Sequence, residues 1–203
     1  MPESLARSIS TSEAKTLIGG LAQNNHYLVN FSALKKPIYD YLMKYTDVDD
    51  IKTFLGRKAG ILCSDASLPG SQFATSEVKD SFMGVPQSYV HTRLYTDINF
   101  TFYIDQDYTL LRIFEGWMDY ISSGANNQVS QESRGYYRRM RYPDTYKVDT
   151  MNISKFDRGH ENQIRYKFIN AFPKSITPVQ VSYGEADVLR VTVSFNFDRY
   201  VVF

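Results

Sequence analysis

The carboxyl-terminal stretch, residues 187–200, has the most regular alternation of apolar and polar residues in the chain. Its odd positions from Leu189 to Phe197 are apolar, and its even positions from Arg190 to Asp198 are polar. Because successive side chains of a strand point to opposite sides, the pattern predicts one long β-strand with a buried face and a solvated face. Such a strand is roughly 45 Å long at about 3.4 Å per residue, so it requires a long partner.

Residues 92–104 are the predicted partner, because they alternate in the same way. The apolar face would carry Leu94, Ile98, Phe100, Phe102 and Ile104. The polar face would carry Arg93, Tyr95, Asp97, Asn99 and Thr101.

A helix is predicted directly after this second strand. Asp105, Gln106 and Asp107 are suited to cap it. An apolar stripe at helical spacing then runs through Leu110, Ile113, Phe114, Trp117, Met118 and Ile121. We expect this stripe to pack against the apolar faces of the two long strands.

The remaining elements have weaker patterns. Shorter strands are predicted at 26–31, 60–64, 146–156 and 163–171, with a helical insertion at 33–58. A polar hairpin or extended loop is predicted at 72–82, between the turn at 67–70 and Gly84-Val85-Pro86. The connecting segments are an arm at 1–20, a basic loop at 125–144 and a turn-rich linker at 174–185. We interpret residues 1–203 as a single domain.

Composition narrows the class of protein. With 203 residues, 43% hydrophobic and 22% charged, the chain has the make-up of a folded globular protein. A formal net charge of +1 gives no general attraction to nucleic acid or to an anionic membrane. No apolar run reaches the roughly twenty residues that span a bilayer, and the polar start lacks a signal-peptide layout. We therefore expect synthesis in the cytoplasm and no membrane segment.

Residues that often carry chemistry do not form a recognisable set. Cys63, the single cysteine, lies at the apolar end of a predicted strand, where a buried, unreactive thiol is expected. The histidines, His26, His91 and His160, have no neighbours at metal-ligand spacing. Asp105 and Asp107 would fit half of a metal site, but acids are also expected at a helix start. We predict no catalytic residue, no metal, no cofactor and no enzymatic activity.

One segment has the composition of a nucleic-acid surface. Its arginines, Arg134, Arg138, Arg139 and Arg141, are interleaved with Tyr136, Tyr137 and Tyr142. Cations together with stacking aromatics suit a nucleic-acid single strand. The same residues are enriched in subunit contacts and occur in solvated loops, and the near-neutral net charge favours this second interpretation.

The polar faces of the two long strands are unusual, because they carry Thr, Ser, Asn and Tyr with few charges. This composition is suited to a surface that is enclosed by the protein but remains in contact with water. Long exposed strand edges also invite pairing with other chains. A ring in which the sheet of each subunit continues into the next would cover the edges and enclose the polar faces.

Several motifs follow one another in the order known from one protein family. They are S-L-P-G at 67–70, the helix with Trp117, N-A-F-P-K-S-I at 170–176 and V-T-V-S-F-N-F-D-R-Y at 191–200. In this order and spacing, residues 24–32 and 59–203 resemble the tail tube proteins of contractile-tailed, T4-like bacteriophages. The resemblance implies a mainly β fold with α elements: a β-sandwich or barrel-like subunit with long amphipathic strands, one flanking helix and a helical insertion.

The resemblance also implies a role in the virion. Subunits of that family form hexameric rings that stack into a tube, whose lumen conducts DNA and the tape-measure protein. Tail sheath and baseplate proteins are further implied partners, DNA passes without sequence-specific binding, and assembly takes place in the host cytoplasm. A baseplate-proximal protein of the same fold, which initiates the tube, is an alternative that the insertion and the arm would suit. The haemolysin-coregulated protein of type VI secretion is a structural relative of the family.

Matching the strands to the family gives two sets of candidate residues. The lumen-facing candidates are Asp97, Asn99, Thr192, Ser194, Asn196 and Asp198. Residues 71–88 match the hairpin and loop that reach the neighbouring ring, and the candidates there are Ser71, Gln72, Glu77, Lys79, Asp80 and Gln87.

Overall fold

The computed structural model describes residues 22–31, 34–45, 50–79, 84–122, 139–149, 151–159, 161, 163–179, 181, 183–184 and 186–203. The strands in these ranges are β1 (Tyr27–Phe31), β2 (Cys63–Ala66), β3 (Ser71–Val78), β4 (Gln87–Tyr95), β5 (Ile98–Tyr103), β6 (Met151–Phe156), β7 (Gln163–Ile169), β8 (Phe172–Ile176), β9 (Arg190–Asn196) and β10 (Arg199–Val202). The helices are α1 (Lys36–Tyr45), α2 (Ile51–Thr53), α3 (Ala59–Leu62), α4 (Thr109–Ile121) and α5 (Pro143–Tyr146). A π-helical turn, Phe54–Lys58, joins α2 to α3.

Two four-stranded antiparallel sheets form the centre of the fold. Sheet A has the strand order β1-β6-β7-β10, and sheet B has the order β2-β5-β9-β8. Within the described ranges, β3 and β4 pair with each other alone, as a separate hairpin. The expected mainly β class with α elements is confirmed. The sheets form a sandwich, and their hydrogen bonding does not close into a barrel in the part of the chain described.

The core lies between the two sheets and is rich in phenylalanine. The ring of Phe31 in sheet A lies 6.1 Å from that of Phe100 and 5.9 Å from that of Phe195, both in sheet B. Phe114 and Trp117 of α4 pack edge-on against Phe195, at 5.7 and 6.3 Å. The packing of the predicted helix against the strands is therefore confirmed.

The predicted carboxyl-terminal strand at 187–200 is wrong in its length. The chain leaves sheet B after Asn196 and enters sheet A at Arg199, so β9 and β10 belong to different sheets. The change of sheet occurs at Asp198, whose backbone N–H donates to the carbonyl oxygen of Ile169 in sheet A at 3.1 Å. The alternation itself is confirmed along β9, where the odd residues are buried and the even residues are partly or fully exposed.

The strand predicted at 92–104 is also divided. β4 ends at Tyr95 and β5 begins at Ile98, with Thr96 and Asp97 between them. Leu94, predicted on the buried face, is 43% exposed because it belongs to the hairpin. β5 pairs with β9 along its whole length, so the expected partnership holds for these shorter segments.

Helix α4 buries a face that differs in part from the predicted stripe, because Met118 and Ile121 are only half-buried. It begins after Tyr108, which has a φ of 54° and supplies no side-chain cap, and not directly at the predicted cap residues. Asp105 Oδ1 nevertheless accepts a hydrogen bond from the backbone N–H of Thr109, the first helical residue, at 2.9 Å. Asp119 and Tyr120 are buried as well, because α1 packs on that side. The hydroxyl of Tyr41 on α1 donates to Asp119 Oδ2 at 2.5 Å, and its ring lies 5.3 Å from the ring of Tyr120.

The helical insertion predicted at 33–58 is part of the core. It continues through Leu62, so the strand predicted at 60–64 begins only at Cys63. Its buried side chains join the cluster that both sheets share: Ile38, Leu42, Ile51, Phe54, Leu55 and Ala59. Gly60 permits the close approach of α3 to β1, because a Cβ atom there would lie 2.1 Å from the carbonyl oxygen of Val29.

The linker predicted at 174–185 is wrong at its start, where β8 forms the edge of sheet B. β8 contains Pro173, which an edge strand tolerates because only one of its sides must supply donors. The register with β9 shifts between Pro173 and Ser175.

The strand predicted at 163–171 ends at Ile169, after which Asn170 adopts a φ of 58°. The strand predicted at 146–156 starts at Met151, because α5 takes up residues 143–146.

The strand predicted at 26–31 is confirmed as β1. The hairpin predicted at 72–82 is confirmed only in its first strand, β3, because its second strand, β4, lies at Gln87–Tyr95, beyond the predicted bounds. Two further predicted segments fall mainly outside the described residues. They are the arm at 1–20 and the loop at 125–144 as far as residue 138.

Candidate functional site: a polar sheet face and an exposed hairpin

The face of sheet B that points away from the core, here called the polar face, is lined by small polar side chains. Asn99 lies opposite Ser194, and Thr101 lies opposite Thr192. The hydroxyl oxygens of the two threonines are 3.0 Å apart. On the other side of β9, Ser175 of β8 lies opposite Ser194. The face therefore presents hydroxyl and amide groups that bond partly to one another across the strands.

Asp97 and Asn196 lie at one end of the polar face. Asn196 Nδ2 donates to Asp97 Oδ1 at 2.7 Å, and Lys174 Nζ donates to Asp97 Oδ2 at 2.5 Å. Partial burial raises the pKa of Asp97, but the hydrogen bonds from Lys174 and Asn196 and the charge of Lys174 outweigh it, so the pKa lies below its ordinary value. The carboxylate is therefore ionised at neutral pH and is compensated by Lys174.

Opposite charges balance on the polar face. Asp65 of β2 is exposed on it, and Arg190 lies at the other end with its guanidinium 5.2 Å from the ring centroid of Tyr103. Among the described residues of this face, the acids Asp65 and Asp97 are matched by the bases Lys174 and Arg190. The polar face is therefore hydrophilic and carries almost no net charge.

Asp198 lies apart from the other lumen candidates, at the passage from β9 to β10. Its carboxylate accepts hydrogen bonds from Lys147 Nζ at 2.8 Å and from Asn170 Nδ2 at 2.7 Å. The hydrogen bond from Lys147 lowers the pKa of Asp198, against the smaller effect of burial. The structure brings together the other five candidates on the polar face: Asp97, Asn99, Thr192, Ser194 and Asn196.

The β3–β4 hairpin is exposed on both faces. The side chains of Phe73, Val78, Tyr89 and Val90 are 54 to 60% exposed. The register shifts after Ala74, and such a bulge increases the local twist. The candidates for contact with a neighbouring ring lie exposed on or beside this hairpin: Ser71, Gln72, Glu77, Lys79 and Gln87. Asp80 lies outside the described residues.

The root of the hairpin contains residues whose role the sequence did not indicate. The alternation placed Arg93 and Tyr95 on the polar face of one long strand, whereas both lie on the hairpin beside Tyr200 of β10. A sequence signal was present at Thr96, which interrupts the apolar series between Leu94 and Ile98.

Structural roles are found for three residues that were considered for catalysis, metal binding and nucleic-acid binding, namely Cys63, Asp105 and Arg141. Cys63 is buried, and burial raises the pKa of its thiol to about 12, which makes it unreactive. Asp105 accepts a hydrogen bond from the first backbone N–H of α4, and Arg141 is held internally by donating from Nε to the carbonyl oxygen of Tyr120 at 2.8 Å. Within the described ranges, no three His, Cys, Asp or Glu side chains are grouped so as to hold a metal ion.

A pocket of about 450 Å³ lies between α1 and α2, and Lys36, Asp40 and Lys52 are its charged lining residues.

Helices in the described part of the chain are all too short or too polar to cross a bilayer.

Comparison with known proteins identifies the fold and the family. The chain is similar to a protein of the sheath–tube complex of the PVC extracellular contractile injection system in its extended state, with 15% identity, a TM-score of 0.56 and coverage of 97% of this chain and 99% of that chain. It is also similar to a protein of the anti-feeding prophage baseplate, with 10% identity, a TM-score of 0.58 and coverage of 91% and 97%. These likenesses show a shared fold.

A third similar structure comes from the sheath/tube terminator of the PVC system, with 14% identity, a TM-score of 0.56 and coverage of 92% and 99%. A search of curated protein sequences gave no match. A family model described as phage tail tube protein matches residues 22–203, which include both sheets, the insertion and the hairpin. The chain therefore belongs to the phage tail tube protein family.

Proposed function

We propose that six copies of this chain form a ring, that the rings stack into a tail tube, and that the polar face of sheet B lines the channel through which phage DNA and the tape-measure protein pass. The observation that carries this proposal is the polar face itself. Asn99, Thr101, Thr192 and Ser194 present hydroxyl and amide groups on strands whose opposite face is the core.

The charge balance of the polar face suits a channel for a polyanion. Lysines and arginines that neutralise phosphates bind DNA and release its counterions. On this face, Lys174 pairs with Asp97, and the charge of Asp65 balances that of Arg190, so the face carries no excess of cations. DNA that must move along a tube passes such a wall without being retained.

The hairpin supplies contact with the neighbouring ring. A two-stranded hairpin alone is marginally stable in water, and this one leaves Phe73, Val78, Tyr89 and Val90 exposed. Burying these side chains against an adjacent ring removes apolar surface from water at roughly 25 cal/mol per Å². Exposed polar residues such as Gln72 and Glu77 then set the register of that contact.

Further partners follow from the family. Sheath, baseplate and tape-measure proteins are the proposed neighbours of the tube, and the proposed location is the tail of a virion assembled in the host cytoplasm. The similar structures come from a sheath–tube complex, a tube terminator and a baseplate, and their TM-scores differ too little to choose between them. We propose the body of the tube, with the tube initiator at the baseplate as the alternative. We propose no catalytic activity.

Electron microscopy of purified full-length protein tests the ring and the channel together. Rings with six-fold symmetry and stacked tubes are expected, whereas monomers alone at high concentration, even beside other tail proteins, would count against the proposal. A gold label on Ser194→Cys is expected in the central channel, and a label on the outer wall would reject the polar face as lumen. Ile61→Cys is the control for labelling, since Ile61 is 78% exposed on α3 and the native Cys63 is buried.

Single-strand nucleic-acid binding through the Arg/Tyr-rich segment is the alternative from another class. The internal bonds of Arg141 weaken it, because one of the four arginines is already engaged. Salt-sensitive binding to single-stranded DNA that disappears in Arg138→Gln/Arg139→Gln protein would favour this alternative. Unchanged binding in that variant removes it.

A further inference from the structure

The root of the β3–β4 hairpin contacts sheet A, although both of its strands connect to sheet B. β3 follows β2 and β4 leads into β5, and both of these belong to sheet B. In the described part of the chain, neither hairpin strand pairs with a strand of a sheet. The direction of the hairpin therefore depends on its side-chain contacts, and these reach β10 of sheet A.

Arg93 is at the centre of these contacts. Its Nη2 atom donates to Ser71 Oγ on the paired strand at 3.0 Å and to the hydroxyl oxygen of Tyr200 on β10 at 3.3 Å. The Tyr200 hydroxyl donates in turn to Ser71 Oγ at 3.3 Å. Three side chains from three strands thus form a closed triangle of hydrogen bonds, which joins both hairpin strands to sheet A.

Aromatic rings surround the same guanidinium group. Arg93 Cζ lies 5.3 Å from the ring centroid of Tyr95, 5.5 Å from that of Tyr200 and 5.9 Å from that of Phe73. Each such contact is weak at an exposed site, but a planar guanidinium forms several in one fixed geometry, which an ammonium group does not.

The rings continue from this root into the core. Tyr200 lies 5.4 Å from Tyr95 and 6.2 Å from Phe197, and Phe197 lies 4.9 Å from Phe168. Phe168 and Phe197 are buried. Since closely packed interiors resist displacement, a hairpin attached to these rings has one preferred direction.

We propose that Arg93, Ser71 and Tyr200 form a clamp that fixes the direction of the hairpin relative to the two sheets, and that Arg93 is a positioning residue for contact with the neighbouring ring. The clamp itself is a property of the single subunit, whereas its role between rings rests on the proposed function. A hairpin that already points in the assembly direction loses less freedom when it meets its partner.

Distance measurements between two spin labels test the clamp in the unassembled full-length protein. The labels are placed on Ile61→Cys and Glu77→Cys, which are exposed on α3 and on the hairpin, while the native Cys63 is buried. One narrow distance distribution is expected. Arg93→Gln is expected to broaden it and to speed hydrogen exchange of the hairpin amides about tenfold, with an unchanged midpoint of thermal unfolding. Tyr200→Phe, which keeps the ring and loses the hydroxyl, should broaden it less.

Arg190→Gln is the matched control, because it removes another exposed arginine that lies over a tyrosine ring. Its distance distribution should equal that of the parent protein. An unchanged distribution in Arg93→Gln, or equal broadening in Arg190→Gln, overturns the clamp, whether or not the protein assembles. A broadened distribution together with normal tubes from Arg93→Gln protein overturns the positioning role alone. Failure of the parent protein to form rings bears on the proposed function and not on the clamp.

Discussion

The helical insertion and the β3–β4 hairpin both interrupt the strands of the sandwich, but they stand in opposite relation to the core. Ile38 and Leu42 of α1 are fully buried in the cluster shared with both sheets. Phe73 and Val90 of the hairpin are 58% and 60% exposed. The apolar side chains of the insertion are therefore covered by the chain itself, whereas those of the hairpin remain exposed.

This difference separates stabilisation of the subunit from contact between subunits. Buried side chains of the insertion contribute to the free energy of unfolding, because they leave water when the single chain folds. Exposed side chains of the hairpin contribute little until a second molecule covers them. The insertion is thus a structural part of this tail tube protein, and the hairpin is its proposed contact with another copy.

The largest expected effect comes from placing a charge in each region. Leu42→Asp should prevent folding, because a carboxyl group without a partner in the core, together with the lost apolar packing, costs several kcal/mol of the roughly 5–15 kcal/mol that stabilises a domain. Leu94→Asp should fold, since Leu94 is 43% exposed on the hairpin, but it should lose ring stacking. Circular dichroism, gel filtration and electron microscopy measure the two outcomes. Loss of the fold in both variants would show that the hairpin also stabilises the subunit.

A pair of glycines tests how closely the insertion is docked. Gly60→Ala should lower the free energy of unfolding by about 1–3 kcal/mol, because its Cβ would lie 2.1 Å from the backbone oxygen of Val29. Gly56→Ala should be neutral or stabilising by about 0.5–1 kcal/mol, since no atom lies within 4 Å of its Cβ. Urea unfolding measures both changes. Equal effects at the two positions would mean that α3 does not lie against β1 as described.

Two tyrosine hydroxyl groups, one on the insertion and one on the hairpin, compare the two regions again with a smaller expected effect. Tyr41→Phe removes a donor to the buried Asp119 carboxyl and should cost about 1–2 kcal/mol. Tyr89→Phe removes a hydroxyl that bonds to exposed Gln87 on the hairpin, and the change should stay within about 0.5 kcal/mol. Thermal and urea unfolding provide the measurement. A cost for Tyr89→Phe as large as that for Tyr41→Phe would erase the distinction between the two regions.

The sequence pattern predicted best where one element packs against the core on one side. The period of two along β9 identified its buried residues, and the period of 3.6 along α4 identified Leu110, Ile113, Phe114 and Trp117, because burial imposes that period directly. It also placed five lumen candidates on one face. The pattern failed where the chain changes sheet, since the bend at Asp198 depends on Lys147 and Asn170, which are 51 and 28 positions away.

Two further features depend on tertiary contacts that no local pattern carries. β8 was missed because Pro173 is unfavourable in strands, and only its place at a sheet edge makes it acceptable. The contacts of Arg93 were missed because Tyr200 is 107 positions away in the chain. Local periodicity thus predicts which face of a strand or helix is buried. The bend at Asp198, the edge strand β8 and the contacts of Arg93 arise from contacts between segments that are distant in the sequence.

The smallest expected effect contrasts an ion pair at the joint of the two sheets with one on the hairpin. The lowered pKa of Asp198 means that its bond with Lys147 stabilises the folded state above the unfolded pKa of about 3.9, and that this contribution is lost as the pH falls through the folded value. Asp198 is partly exposed, so Lys147→Met should cost less than about 1 kcal/mol at pH 7.

The acid dependence of Lys147→Met separates the ion pair from simple packing. The difference in unfolding midpoint between this variant and the parent protein should shrink below about pH 4. Protonation of Asp198 breaks the ion pair in the parent protein, so that both proteins then lack it. Lys79→Met is the control on the hairpin, where Lys79 and Glu77 are 3.7 Å apart and largely exposed, and it should change the midpoint at no pH. A difference for Lys147→Met that persists unchanged in acid would assign its effect to the contact of Lys147 with the ring of Phe172 instead, at 5.7 Å. The joint between the sheets would then depend on a cation–π contact, which does not require an ionised Asp198.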